Sequence, residues 1–358
     1  MTVGQILHIG CYTREGGGAG EGISAVARDP HTGALTPIGL LAPAVSPSFL
    51  ATHPTLPVLY AVNEVAFGAV SAWSITPGGA EPHGQRDTGG DSPCHLAVTP
   101  DGQHLISTNY ASGSVSVHLL DPTGAIGART DLLVHDGHGA DPERQASAHA
   151  HMISVDPRGG PAHVVDLGTD AIYSYVLDAG RLLPSGPRVH VRAGTGPRHL
   201  ARHPDGRRVY VVGELDPTIT VFEVDEHGWH ERHRVPSSAR DGLPQPSEIE
   251  VSADGRFLYV ANRGVDTVSA FAIEEPAPVF VDEVDSLGAW PRHFTLVGGH
   301  LYVANERSHS ISVFDVDPAS GKLSAAGDPY PSPSPTCVLS ATPSMLATDA
   351  PNAGMVAT

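Results

Sequence analysis

Arg198 follows a proline in the stretch "GPRHLARHPDGRRVYVVGEL", and Glu214 stands sixteen residues later, near the end of the next apolar run. An arginine can grip a carboxylate or phosphate through paired charged hydrogen bonds, and a glutamate or histidine beside it can move a proton. The same places recur along the chain. The residue after the equivalent of Pro197 is Ser48, Cys94, His151, Arg198, Ser247, Arg292 and Thr336 in successive segments. Sixteen residues further on come Glu64, Tyr110, Leu167, Glu214 and Arg263 in the first five, a shorter turn makes Glu306 the sixth, and Tyr12 supplies the place at the N-terminus. Cationic, anionic and imidazole groups gathered at one concave mouth are what a small anionic ligand would meet. A competing expectation is that Arg198 and Glu214 form a structural ion pair plugging a channel. The concentration of such residues in the third to sixth segments argues against a mere plug.

The elements that must position these residues are visible as a repeat. The segments "SPSFLATHP", "SPCHLAVTPDG", "HAHMISVDPRG", "GPRHLARHPDG", "QPSEIEVSADG", "WPRHFTLVGG" and "SPTCVLSATP" are versions of one unit, aligned on Pro47, Pro93, Ala150, Pro197, Pro246, Pro291 and Pro335. Their starts lie 46, 57, 47, 49, 45 and 44 residues apart, the period of propeller blades. Each unit runs through a turn into a second apolar run such as "RVYVVGE", then a third such as "TITVFEV", then a looser fourth segment. Four antiparallel strands per unit predict an all-β, seven-bladed β-propeller over residues 1–358 as a single domain. The last unit has only its first strand, while "ILHIGCYT" and "GISAVARD" match a second and third, so strands from the two termini should share one blade and close the ring.

Composition narrows the partners. The formal charge is −18 with no run of Lys and Arg, so nucleic acid is not an expected partner. No stretch reaches the roughly 18 apolar residues of a spanning helix, and the start "MTVGQILHIGCYT" has no basic region ahead of a long apolar one, so no membrane association and a cytoplasmic location are expected. Cys11, Cys94 and Cys337 form neither a disulfide framework nor a zinc motif. No feature specifies an oligomer.

Across essentially its whole length the sequence resembles the seven-bladed propeller lactonase family, which includes bacterial 6-phosphogluconolactonases and the fungal carboxy-cis,cis-muconate lactonizing enzyme. The matching pieces are "GCYT", "SPSFLATHP" with "LYAVNE", "GADPERQASAHAHMISVDP" with "VVDLGTD", "GPRHLARHPDGRRVYVVGEL", "FLYVANRG" and "WPRHF". The resemblance implies a site built from His151 or its neighbour His149, Arg198, Glu214 and Arg263. It also implies hydrolysis of a sugar lactone, a small anionic lactone of the 6-phosphogluconolactone kind. Opening a lactone with water needs a base, support for the developing oxyanion and a proton for the leaving oxygen. His151 or Glu214 would handle the proton and Arg198 the carbonyl oxygen, while Arg263 and Arg292 would bind a phosphate or carboxylate. Arginines should depress the Glu214 carboxyl, which ranks His151 ahead of it as base. His149, His199, Glu64 and Tyr110 complete the expected binding set. The sequence departs from the family at Gly213, where asparagine is frequent, and at His293. Such a site could run a lactonizing or isomerising reaction, and a propeller can also serve as a binding platform.

Two further chemistries are weighed against this one. His149 and His151, two apart on a strand, could with His135, His138, Asp136 and Asp141 hold a divalent metal; a hydrogen-bonded pair is the preferred reading, and no cofactor is expected. Cys94 could be a nucleophile, but its neighbour His95 should point to the other face of the strand, so channel filling is preferred.

Overall fold

The computed structural model describes residues 6–341. Seven antiparallel sheets follow one another, and each runs from an innermost first strand outward to a fourth. The first strands touch in a closed circle, each against the next, with the seventh against the first. The seventh blade is built from Ile6–Cys11, Gly22–Arg28 and Leu35–Pro43 together with Pro335–Ser340, so the ring closes through both ends of the chain as the repeat requires. The Pro/Ser-rich stretch before Pro335 is part of blade six, where Tyr330–Pro331 pairs with the edge of Ser310–Val316.

The second strands carry the core. Tyr60, Tyr210, Tyr259 and Tyr302 occupy one position in four blades, each with at most 1 % of its surface exposed. Leu50, Leu96, Ile153, Leu200, Ile249, Phe294 and Val338, the apolar members of the first strands, are buried with them. Apolar clusters join neighbouring blades; one holds Tyr210, Val212 and Ile219 of blade four with Ile249, Leu258 and Phe271 of blade five. Sheets that bury both faces this way need no other layer, and the radial arrangement leaves only the short outer edge of each blade.

One irregularity in the first strands decides what faces the axis. In six blades the ladder between first and second strand slips by one residue just after the aligned position, leaving Cys94, His151, Arg198 and Arg292 each as the additional residue of a bulge. A bulge sets two residues against one, sharpens the twist and re-aims side chains. Alternation therefore fails here, and the residue following the bulge also enters the channel. His95 lies 4.0 Å from Phe49 of blade one and 5.4 Å from His199 of blade four, ring centre to ring centre. Such reach is possible only across the axis. The expectation that His95 would turn to the other face is thus overturned, because strict period-two alternation does not survive the bulge.

The turn into each first strand is also shared. Ser46, Ser92, Gly196, Trp290 and Ser334 each precede the aligned proline and each has a positive φ, between 39° and 65°. That left-handed residue reverses the chain so that the carbonyl of Ser46, Ser92, Gly196 or Trp290 receives the amide of Glu64, Tyr110, Glu214 or Glu306.

Candidate active site

The ends of the first and second strands meet at one mouth of the channel, around a cavity of about 210 Å³. Its walls include Tyr12, Glu64, Cys94, Tyr110, His151, Glu214, Arg263 and Arg292, all at positions the repeat singles out, together with Arg144. Arg198 stands behind Glu214, His149 stands behind Tyr110, and His199 lies one layer deeper.

Glu214 is the centre of positive charge. Its Oε1 accepts from Arg144 at 2.5 Å, its Oε2 accepts from Arg263 at 2.7 Å, and Arg198 Nε lies 3.3 Å from Oε2. Burial alone would raise this carboxyl, but Arg263, Arg198 and Arg144 outweigh it and hold Glu214 well below the ordinary range. Arg198 shows the other side of the crowding. Burial, with Arg263 and Arg292 nearby, lowers it to about 10; its Nη1 donates to the Ser247 carbonyl at 2.5 Å, while Nε has no hydrogen-bond partner among the described residues. Four guanidiniums and three carboxylates (Glu64, Glu214, Glu306) share the mouth, and the excess charge is positive on the Glu214 side.

Arg292 occupies a different setting. It donates to Tyr12 Oη at 2.6 Å and sits 3.6 Å from Glu64 and 3.7 Å from Glu306. Tyr12 in turn donates to Glu64 at 2.7 Å, and Ser48 donates to the other Glu64 oxygen at 2.5 Å. An anion approaching Arg292 would meet two carboxylates first.

His151 is 5 % exposed, and its Nδ1 has no partner among the described residues. Burial, then Arg198 and His199, lower it well below the usual imidazole range. A neutral ring facing a polar cavity can accept a proton at neutral pH. Glu214, so strongly held in its ionised form, is the poorer base. Cys94 is buried, its thiol is pushed up to about 12 chiefly by burial, and it points toward the His151 carbonyl at 3.2 Å. It fills the channel wall rather than offering a thiolate.

The floor is aromatic and titratable. The His151 ring lies 5.2 Å from His199, Phe49 packs on His95 and lies 5.4 Å from His293, and Glu248 joins His199 at 3.1 Å and His293 at 3.4 Å. The channel is therefore closed beneath the cavity. His149, and His135 of the insertion before it, are engaged elsewhere. The His149 ring stacks on Tyr110 at 4.6 Å and its Nδ1 faces the Tyr110 carbonyl at 2.8 Å, while His135 pairs with Asp166 at 2.6 Å and Tyr175 at 2.9 Å. His149 lies outside the strand Ala150–Ser154, so the two histidines do not share a strand face.

Sequence reasoning missed Arg144 and undervalued Tyr12. Arg144 belongs to no repeat position; it lies in the insertion that lengthens the second spacing, from Pro93 to Ala150, to 57 residues, and that extra length was the available signal. Gly213 has a local explanation. Asn63, Asn109, Asn262 and Asn305 fill the equivalent place and bond to serines of the third strand or to carbonyls of the preceding turn. At Gly213 a Cβ would lie 2.4 Å from the Asp216 carbonyl and 2.7 Å from Thr195. The Thr195–Asp216 turn takes that space.

The sequence profile of a lactonase family, described as "Lactonase, 7-bladed beta-propeller", matches residues 6–340. The 6-phosphogluconolactonase of Bacillus subtilis is 33% identical over 346 residues, covering 93% of this chain and 97% of its own. That of Formosa agariphila is 29% identical, covering 78% and 84%. The structure of the periplasmic gluconolactonase of Pseudomonas aeruginosa superposes with a TM-score of 0.87 at 28% identity, covering 94% of this chain and 99% of its own.

Proposed function

The chain belongs to the seven-bladed β-propeller lactonase family, and from that premise we propose that it hydrolyses a sugar lactone of the 6-phosphogluconolactone type at the closed mouth of its channel. The observation that carries the reading is the pairing of His151, lowered well below the usual imidazole range by burial and with its Nδ1 without a partner among the described residues, with an arginine cluster around one cavity. Water attacks the lactone carbonyl, and the His151 ring takes the proton from the attacking oxygen and returns it to the ring oxygen that leaves. Arg263 lines the cavity and Arg198 stands directly behind it; together they favour the negative charge that develops on the carbonyl oxygen. Glu214 holds those guanidiniums in register and is not the base. Arg292, flanked by Glu64 and Glu306, orients the Tyr12 hydroxyl and is a poor receptor for an anion.

No helix among the described residues is long and apolar enough to cross a membrane. We place the reaction in the cytoplasm, in keeping with a phosphorylated substrate and three unpaired cysteines; fractionation of the native host decides between that and the periplasm of the gluconolactonase relative.

The test is the hydrolysis of freshly generated 6-phosphoglucono-δ-lactone, measured above its spontaneous rate for the native protein, His151→Gln and Arg198→Ala. Acceleration lost in both variants supports the site. A native protein that leaves the spontaneous rate unchanged removes this substrate.

A further inference from the structure

We propose that Arg144 selects for a phosphorylated substrate, its guanidinium receiving the phosphate at the cavity entrance, away from the carbon that water attacks. This rests on the lactonase reading and adds the residue that would separate two kinds of lactone, those with and without a phosphate.

The four arginines of the mouth are not equivalent. The side chains of Arg198 and Arg263 are 3 % and 5 % exposed, and each is also tied to main-chain carbonyls, of Ser247 and of Gln245. Arg292 lies between two carboxylates and a tyrosine hydroxyl. Arg144 is 39 % exposed, and its carboxylate partner is Glu214. That carboxylate remains paired with Arg263 and Arg198 if Arg144 turns away. A phosphate can thus take the Arg144 fork without stranding a buried charge, which is the usual penalty for breaking an ion pair. The Tyr110 hydroxyl, 3.5 Å from Arg144, stands ready as a neighbouring donor.

The base of this arginine is fixed even though its head is exposed. Gln145, fully buried, donates to the Leu167 carbonyl and to Asp170, both at 2.8 Å, and accepts from the Asp141 amide at 2.9 Å. Asp141 also receives the amides of Glu143 and Arg144. The insertion is therefore a pinned turn that presents Arg144 at the rim, and a planar guanidinium so presented suits bidentate contact with phosphate.

The experiment compares kcat/KM for 6-phosphoglucono-δ-lactone and glucono-δ-lactone in the native protein, Arg144→Ala, Arg144→Lys and Arg198→Ala, alongside calorimetric binding of 6-phosphogluconate and gluconate. The native protein should prefer the phosphorylated lactone, and Arg144→Ala should reduce that preference by about tenfold or more, the size of a charged hydrogen bond, mainly through KM. Arg144→Lys should keep part of it, and Arg198→Ala should slow both lactones while leaving the ratio within about threefold. An unchanged ratio in a folded Arg144→Ala protein, or a native protein without preference, overturns the assignment. If neither lactone is accelerated, the lactonase reading fails on its own, and binding decides: tighter binding of 6-phosphogluconate than gluconate, lost in Arg144→Ala, upholds the phosphate site, while equal or no binding overturns it.

Discussion

At the scale of single residues, the site divides its work between a neutral ring and a fixed charge. His151→Gln should lower kcat by about 100-fold or more while KM moves by less than about threefold, the signature of a lost proton carrier; steady-state kinetics on the lactone would show it, and full turnover would remove the role. Because burial and Arg198 hold His151 well below 6.5, the base is already unprotonated at neutral pH. Activity should therefore stay level from about pH 6.5 to 8 and fall only on further acidification, through protonation of His151. Glu214→Gln is a different kind of change. It leaves Arg144, Arg198 and Arg263 together without their shared counter-charge, which should destabilise the protein by about 3–5 kcal/mol in urea titrations. A loss below about 1 kcal/mol would mean that solvent already screens the cluster.

At the scale of elements, the first strand and the turn before it do the positioning. Gly196 has φ of 56°, and its carbonyl receives the Glu214 amide at 2.8 Å. A Cβ there would lie 2.5 Å from Leu215 Cγ. Gly196→Ala should therefore shift Leu215 and Glu214 together and cost about tenfold in kcat/KM beside a modest loss of stability of about 1–2 kcal/mol; wild-type kinetics would show that the turn does not set the glutamate. The same element explains what could be read from sequence. The seven-fold repeat exposed the strands, the shared blade and most of the mouth, since each blade from Pro47 to Pro335 repeats the same unit at intervals of 44 to 57 residues. The direction of His95 was hidden, because an alternating pattern carries no mark of a bulge. Arg144 was hidden for another reason: it comes from the one insertion that has no counterpart in other blades.

At the scale of the whole molecule, buried histidines and ring closure set the stability. His8, His163 and His293 are each lowered to about 4, chiefly by burial. An unfolded histidine titrates near 6.5, so between those values the unfolded chain binds more protons, and stability falls as pH drops below about 6.5. Each such group costs about 2 kcal/mol of stability by pH 5, and the full loss of roughly 3 kcal/mol is reached only below the folded value near 4. Glu250 opposes them. Raised to about 8 by burial and then by Glu248, it favours the folded state increasingly as pH falls from about 8 toward its unfolded value. The depressed Glu214 releases its own contribution only in stronger acid, below the unfolded carboxyl value. Glu248, also raised by burial, acts in the same direction as Glu250, but the several lowered histidines outweigh both, so the melting temperature should drop by about 5–15 °C between pH 7 and pH 5. A flat profile across that range would mean that these buried histidines titrate as free ones.

Ring closure makes the sharper claim about the whole chain. The strand Pro335–Ser340 pairs with Ile6–Cys11, lies against the first strands of blades six and one, and buries Cys337 and Val338 completely. Removing it would uncover the inner edge of blade seven and the apolar clusters that Cys337 and Val338 share with blades one and six, and an open edge of that kind invites pairing with other chains. A protein ending at Pro333 should therefore lose its cooperative melting transition and associate in size-exclusion chromatography, with partial recovery when a peptide spanning residues 332–341 is added. Should the shortened chain melt as one monomeric unit at the native temperature, the terminal strands would not be the clasp of this propeller, and the cavity would owe its shape to the six complete blades alone.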